Sequence, residues 1–187
     1  LADYRNLRRS WLVDSGNQIM VIILFGVAGS GKTLIGRLLA TKLGWAFYDA
    51  DDFHLPAHIE QMRQGIPLTD RDRQPWLDRL SQLIQEHLHK NQSMVLACSG
   101  LKEVYRQQLK QSDAVKLVYL KGDPALIANR LQQRQGHFMN PALLQSQFDA
   151  LEQPTPDTLI VDVSLPPEAI VQAICRSLDG SSQQQPG

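Results

Sequence analysis

The stretch GVAGSGKT, residues 26–33, decides how the rest of the chain is read. It fits the pattern G-x-x-x-x-G-K-[ST], and its setting suits the pattern: the apolar run MVIILF (20–25) precedes it and apolar residues at helical spacing follow it. Strand, glycine loop and helix in that order make an anion nest. Gly26, Gly29 and Gly31 permit backbone angles that turn a row of N–H groups inward, and Val27, Ala28 and Ser30 complete the row. The helix opening near Lys32 adds its positive end. Lys32 can reach the terminal phosphates of a nucleotide, and the Thr33 hydroxyl can ligate Mg²⁺. Nucleotide-gated switches use the same cradle. They usually carry a guanine-reading NKxD and a DxxG, and the chain has neither, which favours an enzyme.

Working outward, short apolar runs alternate with longer helical patterns. MVIILF, WAFY (45–48), SMVLAC (93–98), VKLVYL (115–120) and TLIVDV (158–163) read as five strands. Helices are expected from Lys32 to a stop at Gly44, over 73–90, and over roughly 101–111, 124–134 and 167–178. Strands separated by helices imply an α/β fold with a parallel sheet covered on both faces. The unbroken apolar character of the strands agrees with that. Ligands in such folds bind at the carboxyl ends of the strands, which selects the residues able to reach the chemistry.

A chain of 187 residues suits one domain that needs no disulfide staples, and 19 basic residues balance 19 acidic ones. No global field draws it to nucleic acid or anionic lipid, so neither is an expected partner. Cys98 and Cys175 form no CxxC pair and suit a reducing cytoplasm. Arg8 and Arg9 before the run Ile19 to Phe25 imitate a signal peptide, but Asp14, Asn17 and Gln18 interrupt it and the core is too short to span a bilayer. Residues 1–19 show no sustained period and are expected to be a disordered or non-native extension, with 20–178 the domain. The tail 179–187 is low-complexity and expected to be disordered.

Four segments bear on what the phosphoryl group could reach. YDADDFH places Asp49, Asp51 and Asp52 at the ligand end of the second strand. In a strand-like register Asp49 and Asp51 share a face, so one could hold Mg²⁺ through water while the other accepts a proton from an attacking hydroxyl. His54 and His58 stand four apart, but Pro56 lies between them and no third ligand is evident, so zinc is not expected. In GIPLTDRDRQPWLDRL, Pro67 and Pro75 bracket a polar loop, the helix is expected to begin near Pro75, and Arg73 is placed to grip a carboxylate with two prongs. After the third strand, Lys102 and Arg106 present two cations on one helical face. Arg130 and Arg134, again one turn apart, can close over a triphosphate.

The order GVAGSGKT, YDADDFH, GIPLTDRDRQPWL, ACSGLKEVYR, LKGD, RQGHFMNPALLQSQFDALE and VDVSLPPEAI resembles the gluconokinase family of P-loop kinases, from about Met20 to Leu178. The resemblance implies a P-loop NTPase of the nucleoside-monophosphate-kinase type, with a three-layer α/β/α architecture, a five-stranded parallel sheet and a mobile lid. It implies transfer of the γ-phosphoryl group of ATP, with Mg²⁺, to the 6-hydroxyl of D-gluconate. Lys32 and Thr33 would then serve ATP and Mg²⁺, Asp49 the metal, and Asp51 the attacking hydroxyl. Arg73, Lys102 and Arg106 would contact the sugar acid or phosphate, with His54 on the acceptor side. Arg130 and Arg134 would belong to the lid, Arg130 acting in transfer, and Ser164 to Pro166 would lie near the adenine. Family members are often dimeric, which makes a homodimer one of the states to test. Two positions depart from the family: Ala28 stands where serine is common, and Gly100 makes CSGL of the usual CSAL, next to the predicted acceptor pocket. The rival readings are a shikimate-kinase-like enzyme, a nucleotide monophosphate kinase or another small-molecule kinase, and a non-catalytic nucleotide-binding module; shikimate kinases usually carry a glycine-rich turn where this chain has CSGLK.

Overall fold

The computed structural model describes residues 18–133 and 143–181. Five strands form one parallel sheet: β1 (Val21–Phe25), β2 (Ala46–Asp49), β3 (Met94–Cys98), β4 (Val115–Lys121) and β5 (Leu159–Asp162). Their order across the sheet is β2-β3-β1-β4-β5, so the strand that leads into the glycine loop lies at the centre. Among the described residues, seven α-helices connect and cover them: α1 (Lys32–Leu43), α2 (Pro56–Arg63), α3 (Asp70–His89), α4 (Glu103–Leu109), α5 (Pro124–Gln132), α6 (Leu143–Ala150) and α7 (Pro167–Ser181).

The pleat of β1 divides the core. Ile22 and Leu24 point to one face, where Leu39 of α1, Ile127 of α5 and Ile174 of α7 cover them. Val21, Ile23 and Phe25 point to the other, against Trp76, Leu80 and Ile84 of α3 and Leu109 of α4. All five residues of β1 are buried, and each such apolar side chain contributes about 1.5–3 kcal/mol on leaving water. This is the three-layer α/β/α arrangement expected from the unbroken apolar strands.

The structure corrects three expected boundaries. DRDR is not a loop: α3 begins at Asp70, because Thr69 and Asp72 form a reciprocal cap. The Thr69 hydroxyl accepts from the Asp72 N–H at 3.2 Å, and the Asp72 carboxylate accepts from the Thr69 N–H at 2.9 Å. Pro75 therefore lies inside the helix, where it removes only the bond its N–H would have made to Arg71. The second strand ends at Asp49 and turns into a short 3-10 segment, Ala50–Phe53, instead of continuing extended through Asp51. Helix α7 runs to Ser181, beyond the boundary drawn at 178.

Replacing Thr69 by alanine removes the acceptor for Asp72 N–H. We expect Thr69→Ala to lower stability by about 1 kcal/mol. A urea titration of both proteins reads this directly, and an unchanged midpoint would mean that the cap does not hold the start of α3.

Candidate active site

The glycine loop leaves β1 at Gly26, whose N–H donates to the Ser99 carbonyl at 3.1 Å and so joins the loop to the exit of β3. Gly26 has φ of 146°, and a Cβ there would lie 2.9 Å from the Leu120 carbonyl oxygen, so only glycine fits. Gly31, left-handed, caps α1 without any side-chain hydrogen bond, which leaves the first N–H groups of the helix facing the cleft. Lys32 folds back over the loop, its Nζ donating to the carbonyls of Gly26 and Val27 at 2.9 Å each. Ser30 is buried, its Oγ without a hydrogen-bond partner among the described residues.

Opposite the start of α1 stand the two carboxylates. Thr33 Oγ1 donates to Asp49 Oδ2 at 2.7 Å, and Asp49 Oδ1 accepts from the Asp51 N–H at 3.2 Å. Asp49 thus caps the 3-10 turn, and that turn, not strand alternation, brings Asp51 to the same cleft. Asp52 is exposed and caps nothing. Burial raises the Asp51 carboxyl to about 6, the negative charge of Asp49 pushes the same way, and Lys32 opposes them. A carboxyl tuned in this way releases and takes up protons near neutral pH.

The cleft holds about 380 Å³. Residues 28–35 form its floor, with Asp49, Asp51 and Ser99 at one end. Val163, Leu165, Pro167 and Ile170 make an apolar wall at the other, where the loop after β5 was expected to meet a base. Arg130 lines the cleft and is tied to that wall, its Nη2 donating to the Val163 carbonyl at 2.8 Å. Arg134 lies outside the described residues.

His54, Arg73 and Lys102 do not line this cleft. They form a second group on the β2–β3 side, joined to the first through the 3-10 turn, where the His54 N–H bonds to the Asp51 carbonyl at 3.4 Å. His54 stacks on Trp76 with ring centroids 4.6 Å apart, and Trp76 Nε1 donates to the Ala50 carbonyl at 2.7 Å. Burial, with the charges of His58 and Arg73 adding to it, pushes the His54 imidazole down to about 4. Arg73 Nη1 donates to the Leu68 carbonyl at 2.6 Å and lies 3.8 Å from Asp70. Lys102 Nζ donates to both oxygens of Asp70 at 2.8 and 2.7 Å, and the Tyr105 hydroxyl donates to the same carboxylate at 2.5 Å. Hydrogen bonds from Lys102 and Tyr105 hold Asp70 below the usual carboxylate range. Asp70 and Tyr105 are thus residues that the motif reading passed over. The Thr-x-x-Asp cap was the available signal, because it puts Asp70 in the first turn of α3.

Arg106 is a correction. It does not share a solvent face with Lys102, which instead caps the helix that Arg106 sits in. The guanidinium is fully buried over the Phe25 ring at 4.9 Å. Its Nε and Nη2 meet Glu103 at 2.9 and 2.6 Å, Nη1 the carbonyls of Gly100 and Leu101, and Nη2 those of Glu152 and Gln153. With its donors all engaged, it is a structural strut. Gly100 is corrected with it: at φ of 50° its missing Cβ would sit 3.0 Å from Phe25 Cβ, so the departure from CSAL faces the core and not an acceptor pocket.

A glycine nest, a lysine over its carbonyls and a hydroxyl–carboxylate pair at the switch point of a parallel sheet define a P-loop kinase acting on a small molecule. The shikimate kinase family model matches residues 28–177. The thermosensitive gluconokinase of Escherichia coli is 49% identical over 136 residues, covering 72% of this chain and 73% of that protein. A gluconokinase of Gluconobacter oxydans is 40% identical over 158 residues, covering 83% of this chain and 89% of that one. The crystal structure of a gluconokinase from Sinorhizobium meliloti superposes with a TM-score of 0.78 at 37% identity, over 89% of this chain and 95% of that one. The chain belongs to the gluconokinase family, within the shikimate-kinase-like group that the family model describes.

Two outcomes follow from this geometry. Arg106→Met strands the carbonyls of Gly100 and Leu101 in the interior and leaves the half-buried Glu103 without its partner, so stability should fall by ~2–5 kcal/mol. Wild-type stability with a raised KM for the acceptor alone would return Arg106 to the substrate site. For His54, the unfolded chain protonates first as pH falls through 6.5, because the folded imidazole holds out to about 4. Stability attributable to this residue is therefore lost between those values. His54→Phe keeps the stack on Trp76 and removes the titration, so its urea midpoint should drop less than wild type between pH 7.5 and 5; parallel drops would contradict a neutral buried His54.

Proposed function

We propose that this protein transfers the γ-phosphoryl group of ATP to the 6-hydroxyl of D-gluconate, giving 6-phospho-D-gluconate and ADP. The observation that carries the reading is the convergence of Thr33, Asp49 and Asp51 at the floor of the glycine-loop cleft. Family membership supports the choice of acceptor.

Thr33 Oγ1 and Asp49 are hard oxygen donors already 2.7 Å apart, and together with phosphate and water oxygens they fit Mg²⁺, which keeps several waters and takes few protein ligands. A Mg²⁺ ion held by Thr33 and Asp49 would supply positive charge to the phosphates of ATP. Lys32 exchanges the carbonyls of Gly26 and Val27 for terminal phosphate oxygens. The apolar wall at Leu165 and Ile170 takes the base, and Arg130 faces the transferring group. Asp51, near its titration point at neutral pH, orients the 6-hydroxyl and takes its proton. The hydroxyl oxygen bonds to the γ-phosphorus as the bond to the bridging oxygen breaks, and ADP leaves. Arg73 and Lys102 supply the cations for the gluconate carboxylate, Asp70 holding them in place beforehand. His54 forms part of the acceptor wall beside Trp76.

A homodimer and a cytoplasmic location belong to the same reading. Support for the location comes from Cys98 and Cys175, which are thiols and not halves of a disulfide. No helix among the described residues is long and apolar enough to cross a membrane.

The deciding assay is ADP release from Mg-ATP with D-gluconate, shikimate, AMP, glucose or no acceptor. ADP should form with gluconate alone; turnover with shikimate instead, or with none of the panel, would overturn the assignment. Asp51→Asn should lower kcat by ~10²–10⁴ while nucleotide still binds. Its effect on stability has the opposite sign. The folded carboxyl titrates near 6 and the unfolded one near 3.8, so the folded state loses stability as pH rises through that window. Asn removes the cost, and the nucleotide-free variant at pH 7 should be more stable than wild type by up to ~3 kcal/mol, measured by urea denaturation.

A further inference from the structure

One member of the loop's row of N–H groups is held by a side chain from far along the chain. The Ala28 N–H donates to Gln147 Oε1 at 2.7 Å, across 119 residues of sequence. Gln147 belongs to α6 and lines the cleft. A neutral amide oxygen therefore sits where the nest would otherwise present its N–H to a phosphate oxygen.

The seat can be located along the nucleotide. Lys32, the cation for the terminal phosphates, holds its Nζ over the carbonyls of Gly26 and Val27, so this first half of the loop is the terminal-phosphate end. Ala28 follows directly. The opposite half, at Gly31 and the start of α1, serves phosphates nearer the ribose.

Gln147 is delivered to this point by a well-held element. Leu144 and Phe148 pack on the core around α1 and α5. Just beyond α6, the Glu152 N–H donates to the Leu101 carbonyl at 2.9 Å, its Oε2 accepts from the Glu103 N–H at 2.6 Å, and Arg106 grips the carbonyls of Glu152 and Gln153. With the backbone fixed on both sides of it, the side chain has only its own torsions to move. A primary amide offers an acceptor oxygen and a donor nitrogen on one carbon, so a small rotation exchanges the group it satisfies.

We propose that Gln147 is the residue that distinguishes a bound triphosphate from a diphosphate. Its Oε1 fills the γ-phosphate seat on the Ala28 N–H in the nucleotide-free enzyme; with ATP it yields that N–H to a γ-phosphate oxygen and donates Nε2 to the same phosphoryl group. ADP, lacking that group, leaves Gln147 on Ala28. The inference rests on the cleft being the ATP site.

The test compares Mg²⁺-dependent Kd values for a non-hydrolysable ATP analogue and for ADP, by titration calorimetry, in wild type, Gln147→Glu and Gln147→Leu. Glutamate can still accept from the Ala28 N–H but turns a carboxylate towards the γ-phosphate. It should weaken the analogue about tenfold relative to ADP. Leucine should weaken the analogue severalfold relative to ADP and lower kcat with little change in the gluconate KM. If Gln147 only ties α6 to the loop, Gln147→Glu keeps the wild-type ratio of affinities and Gln147→Leu loses thermal stability with the ratio unchanged; either pattern overturns the proposal. A wild-type protein that binds neither nucleotide overturns the ATP-site reading itself, which separates the two failures.

Discussion

Arg106 holds the two halves of the site in one frame. A guanidinium taken wholly out of water carries a desolvation cost of several kcal/mol, offset only when its donors are met with good geometry. Here the acceptors come from three places: Glu103 in its own helix, the carbonyls of Gly100 and Leu101 at the exit of β3, and those of Glu152 and Gln153 just past α6. Its flat face lies over Phe25, the last residue before the glycine loop. One buried charge thus sets the distance between the glycine loop, the turn that carries Lys102, and the segment that follows Gln147.

Around that strut the charges are arranged in two balanced groups. Next to the loop, Lys32 opposes the rise that burial and Asp49 impose on Asp51. On the β2–β3 side, Asp70 engages Lys102, with Tyr105 and Arg73 at its edges. The second group keeps both cations, Lys102 and Arg73, beside one carboxylate, so neither stands unpaired. Asp70 is largely exposed, so its bonds to Lys102 and Arg73 exchange with water at little cost, unlike the buried bonds from Arg106 to the carbonyls of Gly100 and Leu101.

The loop and the strands were legible because their signals are local. A strand, three glycines, a lysine and a threonine lie within one short stretch, and five apolar runs stand clear of their surroundings. Residues whose role depends on burial or on distant partners were not. Lys102 and Arg106 look alike in sequence, yet one reaches Asp70 near the surface and the other is sealed in the core. Gln147 meets Ala28 across 119 residues of sequence, a pairing that no local pattern announces. Helix α2 buries no residue, so it has no apolar stripe to read, and α6 is only eight residues long. The start of α3 was misplaced because Pro75 was read as a first-turn residue while the Thr69–Asp72 pair, a stronger signal, went unused.

The central place of β1 also shapes how the chain comes together during synthesis. Its first partner, β3, begins at Met94 and its second, β4, at Val115. Until those segments emerge, VIILF is an apolar strand with two open edges. Pairings between segments so far apart in sequence form slowly, and unpaired strands of this kind invite self-association while they wait. The strand that later carries the glycine loop is therefore a part of the nascent chain in need of shelter.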